Sequence, residues 1–286
     1  MKYAAAFLIG LVRILPHRAA VALGAALGRL LWALSWKKVD RCESRCVLAL
    51  GVGVTIARKA VRDSFDNIGR SAAEFIRLDK IKPRLREIMT IDGKENLDRA
   101  LSLGKGVLLL AGHIDNWEMA GARLVLEGYP IVPVYTPQRN KGGINDFIQR
   151  QRIDAAGMKM IPNEGGGLRE IIRALKANSA VCILQDLDAR RRGVKVPFLG
   201  LPAVAYDGIV KLHRQYGSPI VPVFFRRESD HVHHSLVLKP ALTGVDGDDD
   251  DMEKPLALCN SVLEEWIRAY PGQWLWLLDR WESTLK

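Results

Sequence analysis

Val107-Leu108-Leu109-Leu110-Ala111-Gly112-His113-Ile114-Asp115-Asn116-Trp117-Glu118 reads as a buried strand, a turn and the start of a helix. The opening residues are uninterruptedly apolar, a run too short for a helix and typical of a strand covered on both faces. Its end delivers His113 into a turn. Asp115 then has the character of a helix N-cap, with Glu118 three residues later and an apolar run beyond, which is the spacing of a capping box.

The same texture extends outward. Downstream of Pro83, β-rich runs at 106–111, 131–135, 158–161, 180–185, 220–225 and 235–238 are interspersed with helical stretches at 117–126, 144–155, 167–177 and 205–216. Apolar strands alternating with amphipathic helices predict an α/β layered domain, its mostly parallel, mixed central sheet flanked by helices. Such folds gather their chemistry on loops at the carboxyl ends of strands. Residues 37–86 read as helical, with Phe65, Ile68, Gly69, Ala72, Phe75 and Ile76 at three-to-four spacing. A last helix is predicted over 257–269, leading into Pro271-Gly272-Gln273-Trp274-Leu275-Trp276.

At the other end, residues 3–12 are apolar up to Arg13 and Pro16, and a second apolar stretch covers 19–36, interrupted by Arg29 and closed by Lys37-Lys38. Neither supplies the roughly 18–20 uncharged residues of a transmembrane helix, and Arg13 argues against a signal peptide. The expectation is a helical membrane anchor over residues 1–38 and a main domain over 39–286. Trp32 and Trp36 would lie at headgroup level, with Arg13, Arg29, Lys37 and Lys38 facing anionic phosphates. A buried helical hairpin is the alternative.

Composition narrows the partners. A net charge of +10 attracts polyanions, but aromatics are few and no nucleic-acid-binding signature appears, so an anionic lipid surface is expected rather than nucleic acid. Cys42, Cys46, Cys182 and Cys259 form neither a disulfide framework nor a zinc-site spacing and read as small buried hydrophobes. No metal or cofactor is expected. There is no Gly-x-Ser-x-Gly elbow for a serine hydrolase, and Gly165-Gly166-Gly167 lacks the Lys and Ser/Thr of a phosphate-binding loop. His231, His233 and His234 fall on a predicted edge strand whose neighbours alternate faces, and they read, like the acidic run 246–251, as solvated surface.

His113 and Glu118 are the chemical candidates. A histidine titrating near neutrality can take a proton from an alcohol, and a carboxylate on its other ring nitrogen stabilises the imidazolium that forms. On a continuous helix, residues five apart point about 140° away from each other. With His113 in the turn and Glu118 in the first helical turn the two can converge. The free N–H groups of the helix start would favour a developing oxyanion.

Gly112-His113-Ile114-Asp115-Asn116-Trp117-Glu118 resembles the signature of the lysophospholipid acyltransferase superfamily, a His and an acidic residue separated by four, and specifically its lipid A biosynthesis (lauroyl and myristoyl) acyltransferase branch. Further blocks follow in order: 132–139 with Arg150-Gln151-Arg152, Cys182-Ile183-Leu184-Gln185-Asp186, Val196-Pro197-Phe198-Leu199-Gly200-Leu201-Pro202-Ala203, the run 219–224, and 271–276 with Arg280-Trp281. The resemblance implies transfer of a fatty acyl chain from a thioester, with acyl carrier protein as donor, to a hydroxyl of a lipid A precursor. His113 would be the general base oriented by Glu118, at the cytoplasmic face of a cell inner membrane.

Asn116, Arg150, Arg152, Asp186, Arg190 and Arg191 are read as substrate-binding. Arg150 and Arg152 are suited to gripping phosphate bidentately, and Asp186 ends a buried strand. Arg190–Arg192 and Lys195 form a basic loop for an anionic lipid or an acidic carrier protein, or a solvated one. Transfer to another glycolipid or a lysophospholipid, and a catalytically silent lipid-binding protein, remain the alternatives.

Overall fold

The computed structural model describes residues 2–137, 143–247 and 251–285; the end of the 132–139 block and the middle of the acidic run 246–251 lie outside them. Strands β1 (Met89–Asp92), β2 (Val107–Ala111), β3 (Ile131–Tyr135), β4 (Ile161–Pro162), β5 (Ala180–Leu184), β6 (Val194–Lys195), β7 (Val204–Ala205), β8 (Ile220–Arg227) and β9 (His234–Leu238) form two sheets. Seven build one sheet in the order β1-β9-β8-β2-β5-β3-β4, and β6 and β7 pair as a small antiparallel ribbon. Every neighbouring pair in the large sheet is parallel except β8 with β9. The predicted mostly parallel, mixed sheet is therefore the observed one.

Its centre is β2. Every residue of β2 is buried, and alternate side chains enter different cores. Leu108 and Leu110 meet Phe198, Leu263 and Trp274 on one side. Val107, Leu109 and Ala111 meet Leu97, Met119 and Leu124 on the other. Covering on both faces is why this strand reads as a continuous apolar run.

Among the described residues four long helices precede the sheet, α1 (Lys2–Ile14), α2 (His17–Leu34), α3 (Trp36–Leu50) and α4 (Val54–Ile76), followed by short helical turns at Leu78–Ile81 and Leu85–Ile88. Helix α2 lies directly on α4. A Cβ on Gly24 would overlap the Gly69 carbonyl, and one on Gly28 the Phe65 carbonyl, so the two backbones touch without intervening side chains. Arg13 and Arg29, expected to face lipid phosphates, are instead used within the protein. Arg13 makes two hydrogen bonds to Asp79 (3.0 and 2.7 Å), and Arg29 pairs with the buried Asp66 through Nε (2.8 Å) and Nη2. A cation beside a carboxylate on an adjoining helix loses less on burial than one left unpaired, and packing claimed both.

Among the described residues no single helix is long and apolar enough to cross a membrane; α2 and α3 reach that length only as a pair bent by 94°. The surface around this bend is nonetheless apolar, with Leu30, Leu31, Leu34, Trp36, Leu48, Val54 and Ile56 exposed and Lys37 over the Trp36 ring.

Candidate active site

Strand register brings the central pair together. Ala111 on β2 lies opposite Leu184 on β5, and the Gln185 N–H donates to the Ala111 carbonyl at 2.9 Å. Continuing two residues past each strand in that register sets His113 beside Asp186, at the carboxyl ends of adjacent parallel strands. The Asp186 carboxylate accepts from His113 Nδ1 (2.7 Å), the His113 backbone N–H (2.7 Å) and the Trp274 indole N–H (2.8 Å). Gly112 makes this approach possible, since a Cβ there would lie 3.2 Å from Asp186 Oδ2. Asp186 is fully buried. Burial alone would raise its pKa, but the adjacent His113 and the three hydrogen bonds overcome this and hold it below the usual carboxylate range.

Glu118 was placed against His113 by its spacing; the described hydrogen bonds put it elsewhere. The Arg152 guanidinium grips the Glu118 carboxylate, with Nε 3.0 Å from both oxygens and Nη2 on Oε1, while the Trp117 indole donates to Oε1 at 3.2 Å. The Trp117 ring stands edge-on to His113, with centroids 5.0 Å apart. His113, Glu118 and Arg152 therefore share one partly open surface, with side-chain exposures of 15%, 13% and 18%. Asp186, read as substrate-binding, is buried against the histidine, both of its oxygens taken by His113 and Trp274.

The capping box does not form. The helix runs from Trp117 to Leu126, and its N-cap is Asn116, whose Oδ1 accepts from the Met119 N–H at 3.2 Å. Asn116 Nδ2 donates to Glu74 of α4 at 2.9 Å, so this side chain is consumed in holding the helix start rather than left for a substrate. Asp115, one residue earlier, adopts a left-handed backbone (φ 45°) and buries its carboxylate against His234 Nδ1 at 2.6 Å.

Three further expectations shift. Arg150 is exposed while Arg152 turns inward; two helical residues apart, they point to nearly opposite sides. Arg190 and Arg191 line a cavity of about 900 Å³ that reaches Asp186, but Arg190 Nη2 is engaged by Glu282 at 2.5 Å. His234, expected on the surface, is buried in a network with Glu74, Asp115 and Arg227, whereas His231 and His233 precede the strand and are exposed. What the sequence reading missed was the role of the 271–276 segment. The Leu275 N–H donates to the His113 carbonyl (3.0 Å), the Asp115 N–H donates to the Gln273 carbonyl (2.9 Å), and Ile114 and Trp274 form an antiparallel bridge. The last block of matched sequence is thus the backbone partner of the first.

The strand-end His–Asp pair, the neighbouring Glu–Arg pair and the Trp block fall on the segments matched in sequence to one family, that of bacterial lipid A biosynthesis acyltransferases, over residues 1–283. The chain belongs to this family. It is 28% identical over 202 residues to the lipid A biosynthesis palmitoleoyltransferase of Escherichia coli (strain K12), covering 70% of the chain and 63% of that protein's length. Over 276 residues it is 26% identical to the lipid A biosynthesis lauroyltransferase of the same organism, covering 94% and 87%. It is also 28% identical over 228 residues to the phosphatidylinositol mannoside acyltransferase of Mycobacterium tuberculosis (strain ATCC 25618 / H37Rv), covering 78% and 70%. The relatives thus include enzymes named for two different glycolipids.

Proposed function

We propose that this protein is an acyltransferase that moves a fatty acyl chain from a thioester, such as acyl carrier protein provides, onto a hydroxyl of a lipid A precursor. The observation that carries the reading is the Asp186–His113 pair. Asp186 accepts the Nδ1 proton, which leaves the Nε2 lone pair free to act as base. His113 Nε2 takes the proton of the acceptor hydroxyl as its oxygen attacks the thioester carbonyl. The tetrahedral oxyanion collapses, the C–S bond breaks, and the thiolate leaves with the proton that His113 carried. Asp186 stabilises the imidazolium between those steps.

In this reading Glu118 acts through Arg152, holding the guanidinium beside the base, where its remaining N–H groups face phosphate or the developing oxyanion. Membrane association at the cytoplasmic face of an inner membrane is supported by the apolar surface around Leu34 and Trp36, with Lys37 and Lys38 exposed beside it. Arg191 and Arg192 offer an exposed basic loop to an acidic carrier protein.

Purified protein incubated with acyl carrier thioester and lipid A precursor should form the acylated product, and His113→Ala should remove it with an unchanged melting temperature. Full transfer by His113→Ala would overturn the assignment. The mannoside acyltransferase relative favours one second reading, a different glycolipid acceptor. Mass spectrometry of cellular lipids with and without the protein separates the two, because an unchanged lipid A pattern beside an altered glycolipid selects the second.

A further inference from the structure

Behind the reacting surface lies a cluster of four charged groups that the chemistry above does not use. Glu74 comes from α4, Arg227 from the end of β8, His234 from the start of β9 and Asp115 from the turn after β2, and all are buried. Arg227 donates to both Glu74 oxygens at 2.7 Å and lies 3.2 Å from Asp115 Oδ1. His234 bridges the two carboxylates, with Nδ1 2.6 Å from Asp115 and Nε2 3.2 Å from Glu74. Two carboxylates face one guanidinium and one imidazole, so the cluster is neutral only when His234 carries both ring protons. A neutral imidazole has a single N–H and can donate to one carboxylate, not both.

Both residues between His113 and Glu118 that define the turn are held by this cluster. Asp115, in a left-handed conformation that L side chains rarely adopt, is paired with His234 and Arg227. Asn116, the helix cap, is gripped by Glu74. We infer that the Glu74–Arg227–His234–Asp115 cluster is a positioning device for the reaction, and that its charge balance keeps the turn bearing His113 and Glu118 in working shape. The inference rests on the acyl-transfer reading.

His234 is faced by Glu74 from α4, Asp115 from the turn and Arg227 from β8, with His17 at the start of α2 within electrostatic reach. Burial by itself would lower the His234 pKa, yet Asp115 and Glu74 lift it to about 9. The cluster is therefore balanced at neutral pH and unbalanced in moderate alkali.

The test uses the whole purified protein, with steady-state transfer from an acyl carrier thioester measured between about pH 6 and pH 10. His234→Gln, which cannot carry charge, is expected to lower kcat about 10- to 100-fold with KM nearly unchanged, since small misplacements of a reacting group act at this scale. It should also lose the alkaline fall in rate, centred near pH 9, that is expected of the parent. Adding Glu74→Gln to that variant restores neutrality between Asp115 and Arg227 and should recover most of the loss. A parent-like rate and alkaline limb in His234→Gln, or a double variant worse than the single one, would overturn the inference.

Should either variant fail to fold, the parent itself decides. Its His234 imidazole carbon resonance should titrate together with amide shifts of residues 114–117, and titration without those shifts refutes the coupling. A parent that transfers no acyl group removes the acyl-transfer reading alone, while the resonance titration still reports on the turn.

Discussion

Replacing Asp186 with Asn separates the two candidate partners of His113. The side chain is isosteric and buried among three donors: His113 Nδ1, the His113 amide and the Trp274 indole. An Asn carbonyl oxygen can serve the amide and the indole together, which places its NH2 against Nδ1. Nδ1 must then accept, so the ring proton moves to Nε2, the atom required as base. The expected loss is that of a wrong tautomer, about 10³- to 10⁴-fold in kcat by analogy with catalytic triads, or roughly 4–5 kcal/mol of barrier. Stability should fall less, by about 1–3 kcal/mol for a weakened buried hydrogen-bond set. The assay is acyl transfer at saturating donor and acceptor, alongside thermal melting of the same preparation. A folded Asp186→Asn protein with kcat within about threefold of the parent would refute the tautomer argument and with it the assignment of Asp186 as the group that orients His113.

Glu118→Gln keeps the shape but not the charge that holds Arg152. It should raise acceptor KM about tenfold and cost far less in kcat than Asp186→Asn; equal kcat losses would return Glu118 to the histidine. Gly28→Ala puts a Cβ into the Phe65 carbonyl, whereas Gly10→Ala meets nothing within 4 Å. The first should destabilise by about 3 kcal/mol or more and the second stabilise slightly, since Ala exceeds Gly as a helix former by about 1 kcal/mol; equal denaturation midpoints would contradict the backbone contact between α2 and α4.

Stability should also vary with pH in a stated direction. The raised His234 value near 9 makes its contribution complete below its ordinary value and lost as pH rises through 9. Glu74, Asp115 and Asp186 are depressed, so theirs is complete above the ordinary carboxylate range and lost as pH falls below it. Denaturant midpoints should therefore be highest between about pH 5 and pH 6.5, and a midpoint that climbs toward pH 10 would contradict the sign for His234.

The elements whose signal is local were legible in the sequence. Strand β2 announces itself by its apolar run, the helix Trp117–Leu126 starts and stops where its pattern does, and β3 lies where its run predicts. Strand β1 (Met89–Asp92) was missed, because as a short edge strand with only half its residues facing inward it carries little pattern. The helix cap was assigned one residue early. Asp115 and Asn116 are both good caps, and the choice between them is made by His234 and Glu74, which lie 119 and 42 residues away. His234 was misread because its strand, expected at the sheet edge, lies between β1 and β8, and alternation says which residues face inward only after register is known. The identity of His113 as the central group was legible from its strand end. Its partner was not, because Asp186 reaches it through the pairing of β2 with β5, a relation between segments 73 residues apart.

The contact between Trp274 and Asp186 imposes an order of events during synthesis. His113 and Asp186 emerge from the ribosome early, on strands that can pair as soon as β5 is made, while the indole and the backbone of 273–275 that clamp them arrive about 90 residues later, once the final helix has been translated. A nascent or prematurely terminated chain would hold both His113 and Asp186 yet leave the buried aspartate one donor short and the His113 turn without its backbone partner. Completion of the site is thereby deferred until residues 273–275 have been made and folded back onto the His113 turn.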